Sequence, residues 1–437
     1  MRMNFINSTN HNQFFLSFFV LLFFSFLPLS LILGNLAINI NIVLIDLSLI
    51  LYSVLLDDWK WTKTKLFKSL ILIQIYLIFS SVYSIIFKID HQYVYEGLYR
   101  SVGFIKYVIL VFSFSILDKL KIPLDFIIKI WSIIVVITIF DVFFEKIFGH
   151  NIFGFVSPDG SRIISFFKDE MVVGAFLLFF GITATTYFID QKNPKKIYKI
   201  FFNILIVLLP AAILISGERS NFIKAFIIFS ILLTFIPEEK FFINKKKSLL
   251  GIFFGLILLF SFNESIRFKQ TEFFSRIITS KNENSKNLLE NIRYFAHYDV
   301  AWSIFKDNPL IGIGSKNFRW ECHNEKYFKV DLKFTKMRCS THPHQIHFDL
   351  LSEQGIIGYI LILGILLNYT FRKLFYAYKN IEIFKFSISL YIVTYLMPLL
   401  PSGSMFSTFS GSSLWIMLSL LYYLHEVKKD GNLSKNI

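Results

Sequence analysis

The chain has 437 residues, is 54% hydrophobic and 18% aromatic, and carries 54 phenylalanines and a formal net charge of +15. Apolar runs this long exclude an ordinary soluble domain. The positive charge does not indicate nucleic acid as a partner, because no basic domain or aromatic-basic motif stands apart from those runs.

In chain order, helices are expected near 14–33, 36–56, 66–87, 98–117, 124–148, 169–188, 199–215, 219–236, 248–263, 356–372, 385–400 and 406–424. The first, FFLSFFVLLFFSFLPLSLIL, holds about 20 residues without a charge, enough to cross roughly 30 Å of hydrocarbon. In lipid a backbone has to satisfy its own hydrogen bonds, so such runs read as helices. This first run is longer than a signal-peptide core and no small-residue cleavage site follows it, so it reads as a span. The expected fold class is an all-α, polytopic integral membrane protein of about 12 transmembrane helices with one large periplasmic loop containing amphipathic helices. The expected division is 1–263 for the first nine spans, 264–355 for the loop, and 356–437 for the last three spans and a short tail.

Charge placement orients these spans. Alternate connections are basic: DDWKWTKTK (57–65), DKLKIP (118–123), IDQKNPKKIYK (189–199), PEEKFFINKKK (237–247) and FRKLFYAYKNIEIFK (371–385). With both termini they hold 21 Lys and Arg, against four (Lys88, Arg162, Lys168, Arg219) on the opposite short loops. Short-loop Lys and Arg stay in the cytoplasm, which puts both termini there and the 264–355 loop outside. No internal repeat indicates the paired halves of a transporter.

Four stretches carry candidate chemistry. SGER interrupts two apolar runs, and Arg219 then opens a helix at its outer end; the alternatives are a snorkelling or salt-bridged arginine and an anion clamp. LLENIRYFAHYDVAWSIF (288–305) has the spacing of an amphipathic helix, with Arg293 and His297 four apart, which also suits a helix lying on the membrane surface. NPLIGIG (308–314) ends it in a turn. THPHQIHFDLLSEQGIIG (341–358) sets three histidines before an apolar helix, and Pro343 predicts that His344, Gln345 and His347 fall in its first turns. A metal site there lacks a partner ligand elsewhere and the HExxH general base, so no metal is expected; a structural cluster or a base acting on a sugar hydroxyl remain. Cys322 and Cys339 are the only cysteines and can pair across an outer loop.

Taken together these residues resemble the O-antigen ligase and polymerase superfamily of bacterial inner-membrane glycosyltransferases. The matched elements are S-G-x-R at Ser216, Gly217, Glu218 and Arg219, and an arginine, Arg293, ahead of P-L-x-G-x-G at Pro309, Leu310, Gly312 and Gly314. The third is His344-Gln345, nine residues, then Gly355-Ile356-Ile357-Gly358. Where the family has a tryptophan shortly after the arginine, this chain has His297. The resemblance implies transfer of a glycan from a polyprenyl-diphosphate carrier to a glycolipid or glycan acceptor at the periplasmic face, in a lipid bilayer, with no cofactor or metal. It implies Arg219 and Arg293 as diphosphate clamps and His344 as base. Gln345, His342, His347, His297 and Ser216 are expected to bind substrate around them. A transporter lined by the same charges, or a pH sensor built on the histidines, are the competing classes.

Overall fold

The computed structural model describes residues 11–87, 94–247 and 293–428, except residues 159, 161, 169, 330–333 and 399 and the side chains of 11–13, 94 and 293. The helix expected at 248–263 and the first part of the large loop lie outside the described residues. The rest is helical, with no strand among the described residues. In chain order the helices are α1 (His11–Ser25), α2 (Leu27–Ile32), α3 (Asn35–Leu56), α4 (Lys65–Phe87), α5 (Val94–Gly103), α6 (Ile105–Ser113), α7 (Ser115–Lys119), α8 (Leu124–Phe148), α9 (Val173–Thr186), α10 (Lys196–Ile215) and α11 (Arg219–Phe235). After the gap come α12 (Arg293–Asp307), α13 (Phe318–Glu321), α14 (Ile346–Lys379), α15 (Ile383–Tyr395) and α16 (Thr408–Tyr422).

Five of these, α3, α4, α8, α10 and α14, are long and apolar enough to cross a membrane. About half of each is buried against its neighbours. Much of the remainder is exposed and apolar, as at Leu36, Ile75, Phe140 and Ile360. An exposed face of that composition suits hydrocarbon as its solvent. Between helices in lipid, close approach and polar pairs supply the cohesion. Thr186 and Ser387 share a hydrogen bond at 2.8 Å, Asn41 donates to Ser30 at 3.1 Å, and Ser113 donates to Asp46 at 2.9 Å. Trp415 is fully buried against Phe104, with ring centroids 5.1 Å apart.

The expected single helix at 98–117 is instead three pieces, α5 to α7. The joints at Phe104 and Phe114 keep right-handed helical backbone angles, so the breaks lie in the hydrogen bonding. The basic connections gather at one end of the bundle. There Lys119 pairs with Asp58 at 2.6 Å, Lys240 reaches the Gln191 carbonyl at 2.5 Å, and Asp190 accepts from the Ile383 amide at 2.7 Å. The turns rich in Gly, Ser and His gather at the other end.

Candidate active site

The site is built outward from the break between α10 and α11. The Ser216 hydroxyl bonds back to the Ile213 carbonyl at 2.7 Å, and its own carbonyl accepts from the Ile163 amide at 3.2 Å. Glu218 turns to the start of α9, accepting from the amides of Gly174 at 2.5 Å and Ala175 at 3.2 Å, and from Asn221 at 2.6 Å. Burial pushes its carboxyl up to about 6, while those amides, Asn221 and the nearby Arg162 charge pull the other way. Arg219 is the first residue of α11. The leading amides of a helix have no partner within it, so this end attracts anions before any side chain is counted.

A segment the sequence did not single out joins this end to the histidines. Pro401 accepts from Ser220 at 2.6 Å and from the Lys224 ammonium at 2.9 Å. The next residue, Ser402, donates its amide to the His344 carbonyl at 2.9 Å, and its hydroxyl accepts from the Ile346 amide at 2.9 Å. The first turns of α11, at Ser220 and Lys224, and the backbone at His344 therefore meet one two-residue strap between α15 and α16. Arg293 opens α12, but its side chain lies outside the described residues.

The helix expected to include His344 starts two residues later. Gln345 caps it: its side-chain oxygen accepts from His347 N at 2.7 Å and Phe348 N at 3.1 Å, and its amide nitrogen donates to Pro398 at 2.6 Å. Capping of this kind satisfies two otherwise orphaned amides, which outweighs the preference of Pro343 for a first turn. His344 is left with a backbone φ of 60°. That left-handed conformation costs a non-glycine residue about 1–2 kcal/mol and is held here by Ser402.

Around His344 lies a cluster of rings. His342 is 4.3 Å away between centroids, and Tyr294 and His297 are each 5.4 Å away. Ser340 Oγ is 2.9 Å from His344 Nε2. His297 is buried, with Nδ1 2.9 Å from the Arg338 carbonyl, to which it donates. Burial holds the His342 imidazole well below its usual range, helped by the neighbouring His344, Lys316, Arg319 and His297. His347 stands apart. One ring nitrogen is 2.9 Å from the Tyr359 hydroxyl and the other 2.8 Å from the Leu396 carbonyl, so the protein itself occupies both.

The two glycine motifs interlock. At Gly355 the backbone leaves helical geometry, with φ of 63° and ψ of −174°. The amides this releases, Ile356 and Ile357, donate to the carbonyls of Pro309 at 2.8 Å and Leu310 at 3.2 Å. In return Ile313 and Gly314 donate to Ser352 at 3.1 Å and Glu353 at 2.8 Å. A Cβ on Gly312 would stand 2.5 Å from the Glu353 carbonyl. The Glu353 carboxylate accepts from the amides of Lys316 at 2.7 Å and Phe318 at 3.2 Å. Helix α4 cradles the joint: Tyr76, Ser80 and Ser84 donate to the carbonyls of Gln354, Ile311 and Ile313 at 2.6, 3.2 and 2.5 Å. Polar residues spaced i, i+4, i+8 along an apolar helix were the available signal for this cradle.

Cys322 and Cys339 form a disulfide. They and His323 bring three ligand-capable atoms within 4.8 Å, but the two sulfurs are bonded to each other. Arg338, next to Cys339, donates to the carbonyls of Cys322 at 2.9 Å and His323 at 3.1 Å, so the closed loop supports the carbonyl that holds His297. Cys322→Ser is expected to lower stability by about 3 kcal/mol, the entropy of closing a loop of this size. A thermal unfolding curve in detergent, compared with that of reduced wild type, checks this; coincidence of oxidised and reduced wild-type curves would count against a stabilising bridge.

Residues 204–363 match the O-antigen ligase family. The match runs from within α10 to within α14 and includes Ser216–Arg219, the 309–314 turn, His344 and Gly355–Gly358. This part of the chain belongs to the O-antigen ligase superfamily. No curated protein matches the chain. Membership and the apolar helices together describe an integral membrane protein, a glycosyltransferase-like enzyme of the O-antigen ligase and polymerase type whose substrate class is lipid-linked glycans.

Proposed function

We propose that this O-antigen ligase-family protein moves a glycan from a polyprenyl-diphosphate carrier to a sugar hydroxyl of a glycolipid acceptor of the lipid A–core type. The reaction takes place at the periplasmic face of the inner membrane, with both termini in the cytoplasm. The observation that carries this reading is the strap at Pro401–Ser402, bonded on one flank to the start of α11 at Ser220 and on the other to His344. A strap that joins the start of α11 to the backbone at His344 suits the two ends of one displacement.

Arg219, assisted by the α11 amides, holds the donor diphosphate, and Arg293 is assigned to the same group. Its guanidinium offers two parallel N–H donors to phosphate oxygens and offsets the charge that grows on the leaving group. His344 accepts the proton of the acceptor hydroxyl while its oxygen forms the new bond to the anomeric carbon. The bond from that carbon to the phosphate oxygen breaks on the opposite side, the diphosphate leaves with the electron pair, and the configuration inverts. His342 and His297 keep the His344 ring in place, and no metal takes part. Gln345, Ser216 and His347 act as supports for the backbone, since their polar atoms are engaged within the protein.

Arg219→Lys is expected to lower transfer roughly 10²-fold or more, because an ammonium cannot reproduce the paired contact. Transfer by purified protein in proteoliposomes measures this, with EDTA leaving the wild-type rate unchanged; near-normal transfer by the lysine variant would remove Arg219 from the clamp. A deletion strain examined on a polysaccharide gel tests the acceptor. Uncapped core with long glycan accumulating on the carrier supports a ligase, whereas core bearing a single repeat unit would replace it with a polymerase.

A further inference from the structure

Two acidic residues of a candidate span, Asp141 and Glu145 of α8, are buried and take no part in the site described above. One turn apart, they face the same connection. Asp141 accepts from the Ile152 amide at 2.8 Å and from the Ser165 hydroxyl at 2.5 Å. Glu145 accepts from the amides of Ile164 at 3.1 Å and Ser165 at 2.6 Å. The chain that leaves α8 at Gly149 therefore turns back along the helix it has just left. Asp141 lies seven residues before the end of α8, so Ile152 sits about 10 Å below that end. At 25 residues α8 is about 37 Å long and overhangs roughly 30 Å of hydrocarbon by only a few ångströms at each end. The returning loop is thus brought to the level where acyl chains begin.

Its backbone suits that level. The five successive amides from Asn151 to Phe155 all donate within the protein. Asn151 donates to the Phe155 carbonyl and Gly154 to the Asn151 carbonyl, both at 2.9 Å. Ile152 donates to Asp141, and Phe153 and Phe155 donate to the side-chain oxygen of buried Asn151 at 3.0 and 2.8 Å. The Asn151 side-chain nitrogen in turn donates to the Ser165 carbonyl at 2.6 Å. A loop bathed in water has no need of such complete pairing, whereas irregular backbone at membrane depth does. The side chains point to the same conclusion. Phe153 is 71% exposed and Val156 63%, with Ile152 and Phe155 exposed beside them. They continue the exposed apolar side of α8 at Phe140, Ile147 and Phe148. Exposed Lys168 stands at the rim with its ammonium 5.9 Å from the centre of the Phe155 ring, as a stem laid on an apolar surface with its charge at the headgroups would.

We propose that residues 150–156 form a wedge seated at the boundary between headgroups and acyl chains, at the end of the bundle that holds the candidate site. Lipid hydrocarbon is the partner of Ile152, Phe153, Phe155 and Val156, and Asp141 and Glu145 are the staples that hold the loop to α8. Phe153 also stacks inward on Phe166, 5.5 Å between centroids, and Phe167 packs on Phe176 of α9 at 5.3 Å, so the wedge has a firm base. The returning limb donates from Ile163 to the Ser216 carbonyl, which ties the depth of the wedge to the break between α10 and α11. The placement depends on the apolar spans and not on the transfer reaction.

The test uses the full-length protein with Phe153→Cys. Since Cys322 and Cys339 are bonded to each other, the new thiol is the one free sulfhydryl and takes a nitrobenzoxadiazole label. Labelled protein in phosphatidylcholine–phosphatidylglycerol vesicles is exposed in turn to lipid carrying a nitroxide high on its acyl chain and to aqueous iodide. Lys306→Cys, at an exposed lysine of α12, is the aqueous reference. The label at Phe153 is expected to emit further to the blue than the reference and to lose about half its emission to the nitroxide lipid while iodide has little effect. Val156→Cys should behave in the same way and decides the matter if the first variant does not accumulate. Quenching by iodide to the extent seen at Lys306 overturns the proposal, because the tip then stands in water. Protection from both quenchers also overturns it, because a second copy or another protein then covers the tip. Adding Asp141→Ala to the labelled protein should release the loop, lowering quenching by lipid and raising quenching by iodide. Unchanged quenching in that variant overturns the role of Asp141 as a staple.

Discussion

His344→Ala is expected to lower glycan transfer by about 10²–10⁴-fold, the range for loss of a general base, with the protein still reaching the membrane in normal amount. The fold should tolerate the change because the strap contact is made by the His344 carbonyl, which alanine retains. Alanine is less at home than histidine at the left-handed φ of 60°, so a small loss of stability is expected beside the loss of transfer. His347→Ala provides the contrast. Its side chain meets Tyr359 and Leu396, tying α14 to the end of α15, so its loss should cost about 1–3 kcal/mol of stability. Transfer assays paired with detergent melting curves separate the two. The assignment of His344 fails if its variant keeps wild-type transfer, or if its rate and its melting temperature fall together as those of the His347 variant do.

That contrast also shows what the sequence could and could not convey. The helical segments were legible because apolar runs are long and charges cluster between them; 124–148 coincides with α8. The glycine motifs were legible as turns, yet their mutual pairing was not, since it runs through the carbonyls of Pro309 and Leu310 and the amides of Ile356 and Ile357. Backbone groups are the same at every position and leave no mark in composition. The strap at Pro401–Ser402 was missed for the same reason. Lys316 was one basic residue among fourteen in a loop read as polar, and only the fold shows that it is buried. Gln345 was read beside His344 as a ligand, whereas capping fixes it to the backbone of its own helix.

Gly355→Ala is expected to be the most damaging small substitution at this end of the protein. With φ of 63° and ψ of −174° the residue occupies backbone space open essentially to glycine alone, and an alanine held there costs about 1–3 kcal/mol in strain. The added methyl would overlap the Leu310 carbonyl and stand 2.6 Å from the Ile311 amide, both backbone and unable to swing away. Relief requires the 309–314 turn to separate from α14, which releases the pairings of Ile356, Ile357, Ile313 and Gly314 and uncouples Glu353 from the Lys316 turn. The combined loss is on the order of 4 kcal/mol or more, enough to unfold a marginally stable domain. Gly364→Ala in the same helix is the control: nothing lies within 4 Å of its added methyl, so helix propensity alone should leave it neutral or slightly stabilised. Membrane yield and melting temperature in detergent are the measurements. Should the Gly355 variant melt with the Gly364 variant, α14 does not depend on its break, and the site is not held together by the interlocked turns.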